Sequence, residues 1–343
     1  MKLSVGIGGY ARGDIAGAVE FVQAADRLGV DSVWSAEAWG QDAVTSLAYL
    51  AAKTERIKLG TGIMQISARV PSMTAMTALS LNELSGGRFL LGLGASGPQV
   101  VEGLHGAAYA QPLGRLKETV ELCRMAFRGE KLRFEGQHFV LPRPGGEGKA
   151  LRLDHPPTEI PIYLATLGPK ALEFTGAAAD GWLGTSFSPE HADAHLAYLK
   201  RGADSAQRSL ADLDLHAAVS VAIGDDVEAL IDARRPGVAF QMGAMGSAQT
   251  NFYNAAVQRA GFEDDAKAIQ RLWIEGKRDQ AAARVPDELV TQFQAVGTPA
   301  MVLERFRRYR DVGITCLGLR IDSGPVAERI ARLESIMALV DQL

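Results

Sequence analysis

Eight times along this chain a short apolar strand pattern gives way to an amphipathic helix pattern. No other feature constrains the fold as much. Strands that alternate with helices pair in parallel, because each helix carries the chain back to the start of the next strand. Lys2 to Gly8 reads as a strand and Asp14 to Leu28 as a helix capped by Asp14. Ser32 to Glu37 and a helix through Ala51 follow, then Lys58 to Gln65 and a helix from Pro71 to Leu84 stopped by Gly86-Gly87. Arg88 to Ala95 leads to a helix from Leu113 to Arg128. A hairpin over Lys131 to Leu141 and a Pro/Gly-rich loop over Arg143 to Pro157 come next. Ile160 to Leu167, Gly181 to Phe187, Leu213 to Ile223 and Thr315 to Ile321 complete the strands. Nearly all are apolar throughout, as suits strands covered on both faces.

Eight such units predict a (β/α)8 TIM barrel, with a doubly wound open sheet as the other arrangement the pattern allows. Residues 1–343 read as one domain. Residues 225–298 read as a mostly helical insertion after the seventh strand, with helices over Asn251 to Arg259, Asp264 to Gly276 and Pro286 to Val296.

Composition narrows the function classes. The net charge of −4 and the lack of a dense basic run argue against nucleic-acid binding. Arg305, Arg307, Arg308 and Arg310 fall on one helix pattern and read as a solvated face. No apolar run reaches the ~20 residues of a membrane span. Two cysteines, Cys123 and Cys316, provide neither a disulfide framework nor a thiolate cluster. The first residues alternate like a strand and lack a signal peptide's apolar block, so a cytoplasmic location is expected.

Gly92-x-Gly94-x-x-Gly97 imitates a dinucleotide fingerprint, but Pro98, Gly103 and Gly106 follow it where a helix should open. It reads instead as a strand end whose bare backbone admits something flat or anionic. In a barrel the chemistry sits at such ends. They supply Tyr10, then Glu37, Ala38 and Trp39, then Gly62, Ile63, Met64 and Gln65, then Ala95, Ser96, Gly97 and Gln99, then Thr166, Leu167, Gly168 and Pro169, and Thr185 and Ser186. The rim is rich in glycine, hydroxyls and aromatics. His191 and His195 stand i, i+4 on one helix, but no glutamate accompanies them as in a zinc-protease motif, so they read as an exposed helix face. Such a rim suits a cofactor that carries its own reactivity. Gly168-Pro169 opening a helix, with Thr185 and Ser186 on the next loop, has the makings of an anion seat.

Ser32-Val-Trp-Ser-Ala-Glu-Ala-Trp-Gly-Gln-Asp42, Leu59-Gly-Thr-Gly-Ile-Met-Gln65, Leu91 to Gly103, Ile162 to Lys170 and Ala179-Asp-Gly-Trp182 together resemble the luciferase-like superfamily. Within it they are most similar to the coenzyme F420 branch, the methylenetetrahydromethanopterin-reductase-like oxidoreductases. The resemblance covers nearly the whole chain. It implies a homodimer that binds F420, with FMN and oxygen chemistry as the alternative within the same superfamily. It implies a non-proline cis peptide at Gly62-Ile63 behind the deazaflavin ring. It also implies that Ala95, Ser96 and Gly97 lie along the ring, that Ala165 to Pro169 with Thr185 and Ser186 hold the phosphate, and that Glu37 and Ala38 stand near the pyrimidine end.

Relatives that oxidise glucose 6-phosphate carry a histidine where this chain has Ala38 and an acid where it has Gly97. The departure points to a small organic substrate whose C=C, C=N or C=O bond is reduced. If a side chain supplies a proton, Glu37 or Tyr10 is the candidate, on the expectation that an apolar barrel mouth raises a carboxyl's pKa.

Overall fold

The computed structural model describes residues 1–7, 13–247 and 249–343. Its elements in chain order are β1 (Lys2–Gly6), α1 (Ile15–Leu28), β2 (Ser32–Ser35), α2 (Ala43–Ala51), β3 (Lys58–Thr61), β4 (Met64–Gln65), α3 (Pro71–Leu84), β5 (Phe89–Gly94), α4 (Pro112–Phe127), β6 (Phe134–Glu135) and β7 (Val140–Leu141). Then come β8 (Ile162–Leu164), α5 (Pro169–Ala178), β9 (Gly181–Gly184), α6 (Asp193–Ser205), β10 (Asp214–Ile223), α7 (Val227–Ala244), α8 (Phe252–Arg259), α9 (Glu263–Ile274), α10 (Arg278–Ala283), α11 (Asp287–Thr291), β11 (Ala295–Gly297), α12 (Pro299–Asp311), β12 (Cys316–Arg320) and α13 (Val326–Val340). Backbone contacts divide the chain into two compact units, Ser32–Ala165 and Met1–Asp31 with Thr166–Leu343.

In the Ser32–Ala165 unit, β2, β3, β5 and β8 lie side by side and parallel, and β4 resumes the β3 path along β5. Every residue of β5 is buried, as its unbroken apolar run requires. β6 and β7 form the expected hairpin, and the Glu118 carboxylate accepts the backbone N–H groups of Gln137, His138 and Phe139. Where β5 begins, Arg88 donates to the carbonyls of Ala51, Thr54, Ile57 and Ser85 and to the Thr54 hydroxyl.

In the other unit, β1 pairs with β12, β12 with β10, and β10 with β9, all parallel. Asp14 caps α1 as expected, accepting from the Gly17 N–H at 2.8 Å. The segment after β10 departs from expectation in two places. The long α7 was not anticipated, because Pro236-Gly237 sits in its middle and reads as a breaker. Ala295 and Val296 were expected to close the helix from Pro286; that helix ends as α11, and residues 295–297 form β11 and pair with Val221 to Ile223 of β10. A three-residue apolar run has no periodicity to distinguish the two. Helices over 252–259 and 263–274 match the expected pair. This segment carries its own apolar cluster, with Ile231, Val238, Met242, Val257, Ile269 and Leu289 buried.

Candidate active site

Two groups of strand-end loops hold the residues singled out by the sequence. In the Ser32–Ala165 unit the β3 strand stops at Thr61, and the Gly62–Ile63 peptide is cis. The Gly62 N–H donates to the Ser35 carbonyl at 2.5 Å, and the Glu37 N–H donates to the Ile63 carbonyl at 3.2 Å. Gly94 permits this arrangement, since a Cβ there would stand 3.0 Å from Ile63 Cγ1. Gly62 is exposed, Ile63 half-buried, and Met64 and Gln65 buried. The Gln65 Oε1 atom is buried and has no hydrogen-bond donor.

Glu37 does not lie in the apolar surroundings expected of it. Arg69 grips its carboxylate with two N–H groups, at 2.9 and 2.6 Å. The backbone N–H groups of Gln65 and Ala43 add bonds at 3.0 and 3.3 Å. Four donors thus occupy its two oxygens. The Glu37 bond in turn raises the Arg69 pKa. Ala38 and Trp39 beside it are exposed.

Ser96 takes a left-handed conformation, φ 59°, which is uncommon for a residue other than glycine. The Tyr109 hydroxyl donates to its carbonyl at 3.1 Å. Behind it the chain does turn helically: residues 99–104 form a short π-helical turn, started by the Val101 N–H donating to the Gly97 carbonyl. The sequence did not show this turn, because Gly103, Gly106 and Pro98 disguise it. Gln99 is exposed at its start, and Ala95 and Gly97 are half-buried. A cavity of about 380 Å³ opens here, lined among others by Ile66, Ala95, Tyr109, Arg115 and Phe139. The Arg115 guanidinium stands 5.9 Å from the Phe139 ring centre. Ala165 ends this unit, and its N–H donates to the Leu93 carbonyl.

The second group belongs to the other unit. The Thr166 hydroxyl is 2.7 Å from that of Thr175, and its carbonyl accepts the Trp182 indole N–H at 3.0 Å. The Leu167 carbonyl accepts an Arg259 N–H at 2.6 Å. Gly168 stands at the start of α5 with Pro169 in the first turn, and no side chain caps the helix. Ser186, like Ser96, is left-handed, with φ 51°. Gln241 of α7 donates to its hydroxyl at 2.9 Å. Arg320 reaches the Thr185 hydroxyl at 3.4 Å. Thr185, Ser186, Gln241, Gln294 and Arg320 help to line a cavity of about 40 Å³. Tyr10 lies outside the described residues.

Two further expectations are corrected. His195 is buried, not exposed. It packs between Trp182 and Phe187, and burial lowers its pKa to about 3. Its helix turns that face onto β9, which the i, i+4 spacing alone could not reveal. Arg305 is also buried, answered by Glu190, whereas Arg307, Arg308 and Arg310 are exposed or half-buried. Among the described residues no cluster of His, Cys, Asp or Glu could hold a metal ion. No described helix is long and apolar enough to cross a membrane.

Arg69, Gln241, Arg259 and Arg320 were not foreseen. Each reaches its loop from a distant stretch of chain or by a turn with no periodic signature.

Alternating strands and helices with a glycine-rich rim define a barrel enzyme. Comparison with solved structures agrees. The coenzyme F420-dependent tetrahydromethanopterin reductase of Methanopyrus kandleri superposes with a TM-score of 0.79 over 98% of both chains at 22% identity, which identifies the fold as a (β/α)8 barrel. The luciferase-like monooxygenase family model matches residues 3–316. A Mycobacterium tuberculosis protein provisionally named a coenzyme F420-dependent oxidoreductase is 37% identical over 342 residues, spanning 97% of this chain and 99% of its own. The 5,10-methylenetetrahydromethanopterin reductase of Archaeoglobus fulgidus is 29% identical over 319 residues, 91% of this chain and 92% of its own. The chain belongs to the luciferase-like monooxygenase family and is an enzyme of that family.

Proposed function

We propose that this protein is an oxidoreductase that uses coenzyme F420 to reduce a C=C, C=N or C=O bond of a small organic molecule. Similarity to relatives named for F420 supports the cofactor. The observation in the chain that carries the reading is Gln65. A buried amide oxygen without a donor costs free energy, and a ring N–H from a bound ligand answers it. A Cβ at Gly97 or Gly168 would meet nothing within 4 Å, so both loops leave room for a ligand. These features fit a flat polar ring with an anionic arm.

When bound, F420 supplies or accepts a hydride at its ring carbon. The chain's own part is placement. Gly62, Ile63, Met64 and Gln65 back the ring, with Ala38 at its edge. Ala95, Ser96, Gly97 and Gln99 flank it, held by Tyr109. Ala165, Thr166, Leu167, Gly168 and Pro169, with Thr185 and Ser186, receive the phosphate. Glu37 acts as a positioning residue: paired with Arg69, it fixes the Gln65 backbone. Tyr10 is left as the candidate proton donor. The chain works as one domain and self-associates through Tyr49, Val70, Met73 and Met76, which are exposed on and beside α2 and α3.

Binding titrations with F420 and with FMN, followed by fluorescence, test this reading. F420 should bind, and Gln65→Leu should weaken it about tenfold, the worth of one hydrogen bond. Tight FMN binding without F420 binding would replace it with an oxygen-using monooxygenase. Sedimentation of the same sample as a monomer would remove the dimer.

A further inference from the structure

Several partly buried guanidinium groups in this protein are answered by carboxylates. Arg69 has Glu37, Arg234 has Asp322 and Arg305 has Glu190. Arg259, at the end of α8, is different. Its N–H groups reach two backbone carbonyls, Leu167 at 2.6 Å and Ala255 at 3.2 Å. Its Nε–H is buried without an acceptor. Among the described residues no carboxylate pairs with it; burial lowers its pKa, and Tyr198 opposes that. A desolvated cation lacking a counter-charge is costly, and an anion from outside relieves that cost.

The carbonyl that Arg259 grips belongs to the loop leading into α5. In that loop the Thr166 hydroxyl is already engaged with Thr175, and Gly168 leaves open space. The loop therefore offers an anion a bare backbone, and the charge comes from elsewhere in the chain. We propose that Arg259 is the counter-ion for the phosphodiester of the bound deazaflavin, contributed by the segment between β10 and β11 and not by a strand-end loop. This rests on the F420 reading above. It gives that segment a role in cofactor binding that the sequence did not suggest, and it makes Arg259 a binding residue.

The test compares F420 with the riboflavin-level deazaflavin that lacks phosphate and acidic tail, titrated by fluorescence into the wild type, Arg259→Gln and Arg259→Lys. Arg259→Gln should weaken F420 by about 10- to 100-fold, the range for a lost charge-assisted bond. It should leave the phosphate-free molecule within about twofold of wild type, the level at which no bond is lost. Arg259→Lys, which keeps the charge without the fork, should fall between and serves if the glutamine variant does not fold. Unchanged F420 affinity in the variants would overturn the proposal. So would an equal loss for both molecules, which marks a merely structural residue. If the wild type binds neither molecule, the F420 reading itself fails. Thermal stabilisation by inorganic phosphate then decides: stabilisation of the wild type but not of Arg259→Gln sustains an anion site, and equal shifts sink it.

Discussion

Glu37 and Arg259 are opposite charges beside strand-end loops, and they differ in what answers them. In the Ser32–Ala165 unit Glu37 is met by Arg69 and two backbone N–H groups. In the other unit the described hydrogen-bond acceptors of Arg259 are two carbonyls. A charge satisfied within the chain sets the shape of a loop. A charge left open is available to a ligand. Residue type alone would have ranked the carboxylate as the chemical group and the arginine as surface decoration, and the surroundings reverse that order.

The sharpest way to break the contrast is Glu37→Ala. It strips Arg69 of its partner and leaves the N–H groups of Gln65 and Ala43 unanswered. Urea unfolding should show a loss of about 3 kcal/mol. Adding Arg69→Ala should return part of it, because the stranded charge goes too. A loss near zero would mean that Glu37 is free to do chemistry after all.

The second test stays near Arg259. His195 is kept neutral by burial first and by the Arg259 charge second, with its pKa lowered to about 3. Because the folded value lies below the unfolded one of about 6.5, the unfolded chain takes up a proton that the folded chain refuses. Stability is therefore lost as pH falls from about 6.5 toward 3. His216, lowered by burial to about 4, contributes in the same direction. His195→Phe should remove its share, a relative gain of about 2 kcal/mol at pH 5 over that at pH 7.5. Parallel stability curves for the two proteins would show that His195 charges without penalty.

The smallest effect concerns Ser96. Glycine adopts its left-handed backbone without steric cost, so Ser96→Gly should gain about 0.5–1 kcal/mol, net of the entropy glycine adds to the unfolded chain. Destabilisation in a thermal melt would show that the hydroxyl, not the backbone, matters to the fold.

The strand–helix alternation was legible because each element is long enough to display its period. The Gly62–Ile63 linkage was legible only through family resemblance, since nothing in Leu59 to Gln65 dictates it locally. The segment between β10 and β11 was half legible. Its helices over 252–259 and 263–274 have clean amphipathic faces, whereas α7 hides behind Pro236-Gly237 and β11 is too short to declare itself. The partners that give the site its character were not legible. Arg69 lies 32 residues from Glu37 and Arg259 lies 92 from Leu167. Only folding brings them together, and neither pair follows a helix or strand period.

Arg88 has one more consequence. Its guanidinium gathers the carbonyls of Ala51, Thr54, Ile57 and Ser85 where β5 begins, a spread that lysine's three donors on one nitrogen cannot reproduce. The foundation of that unit is thus knotted at the end of its strands opposite the loops that follow them. Those loops are free to change in sequence while the scaffold beneath them stays put.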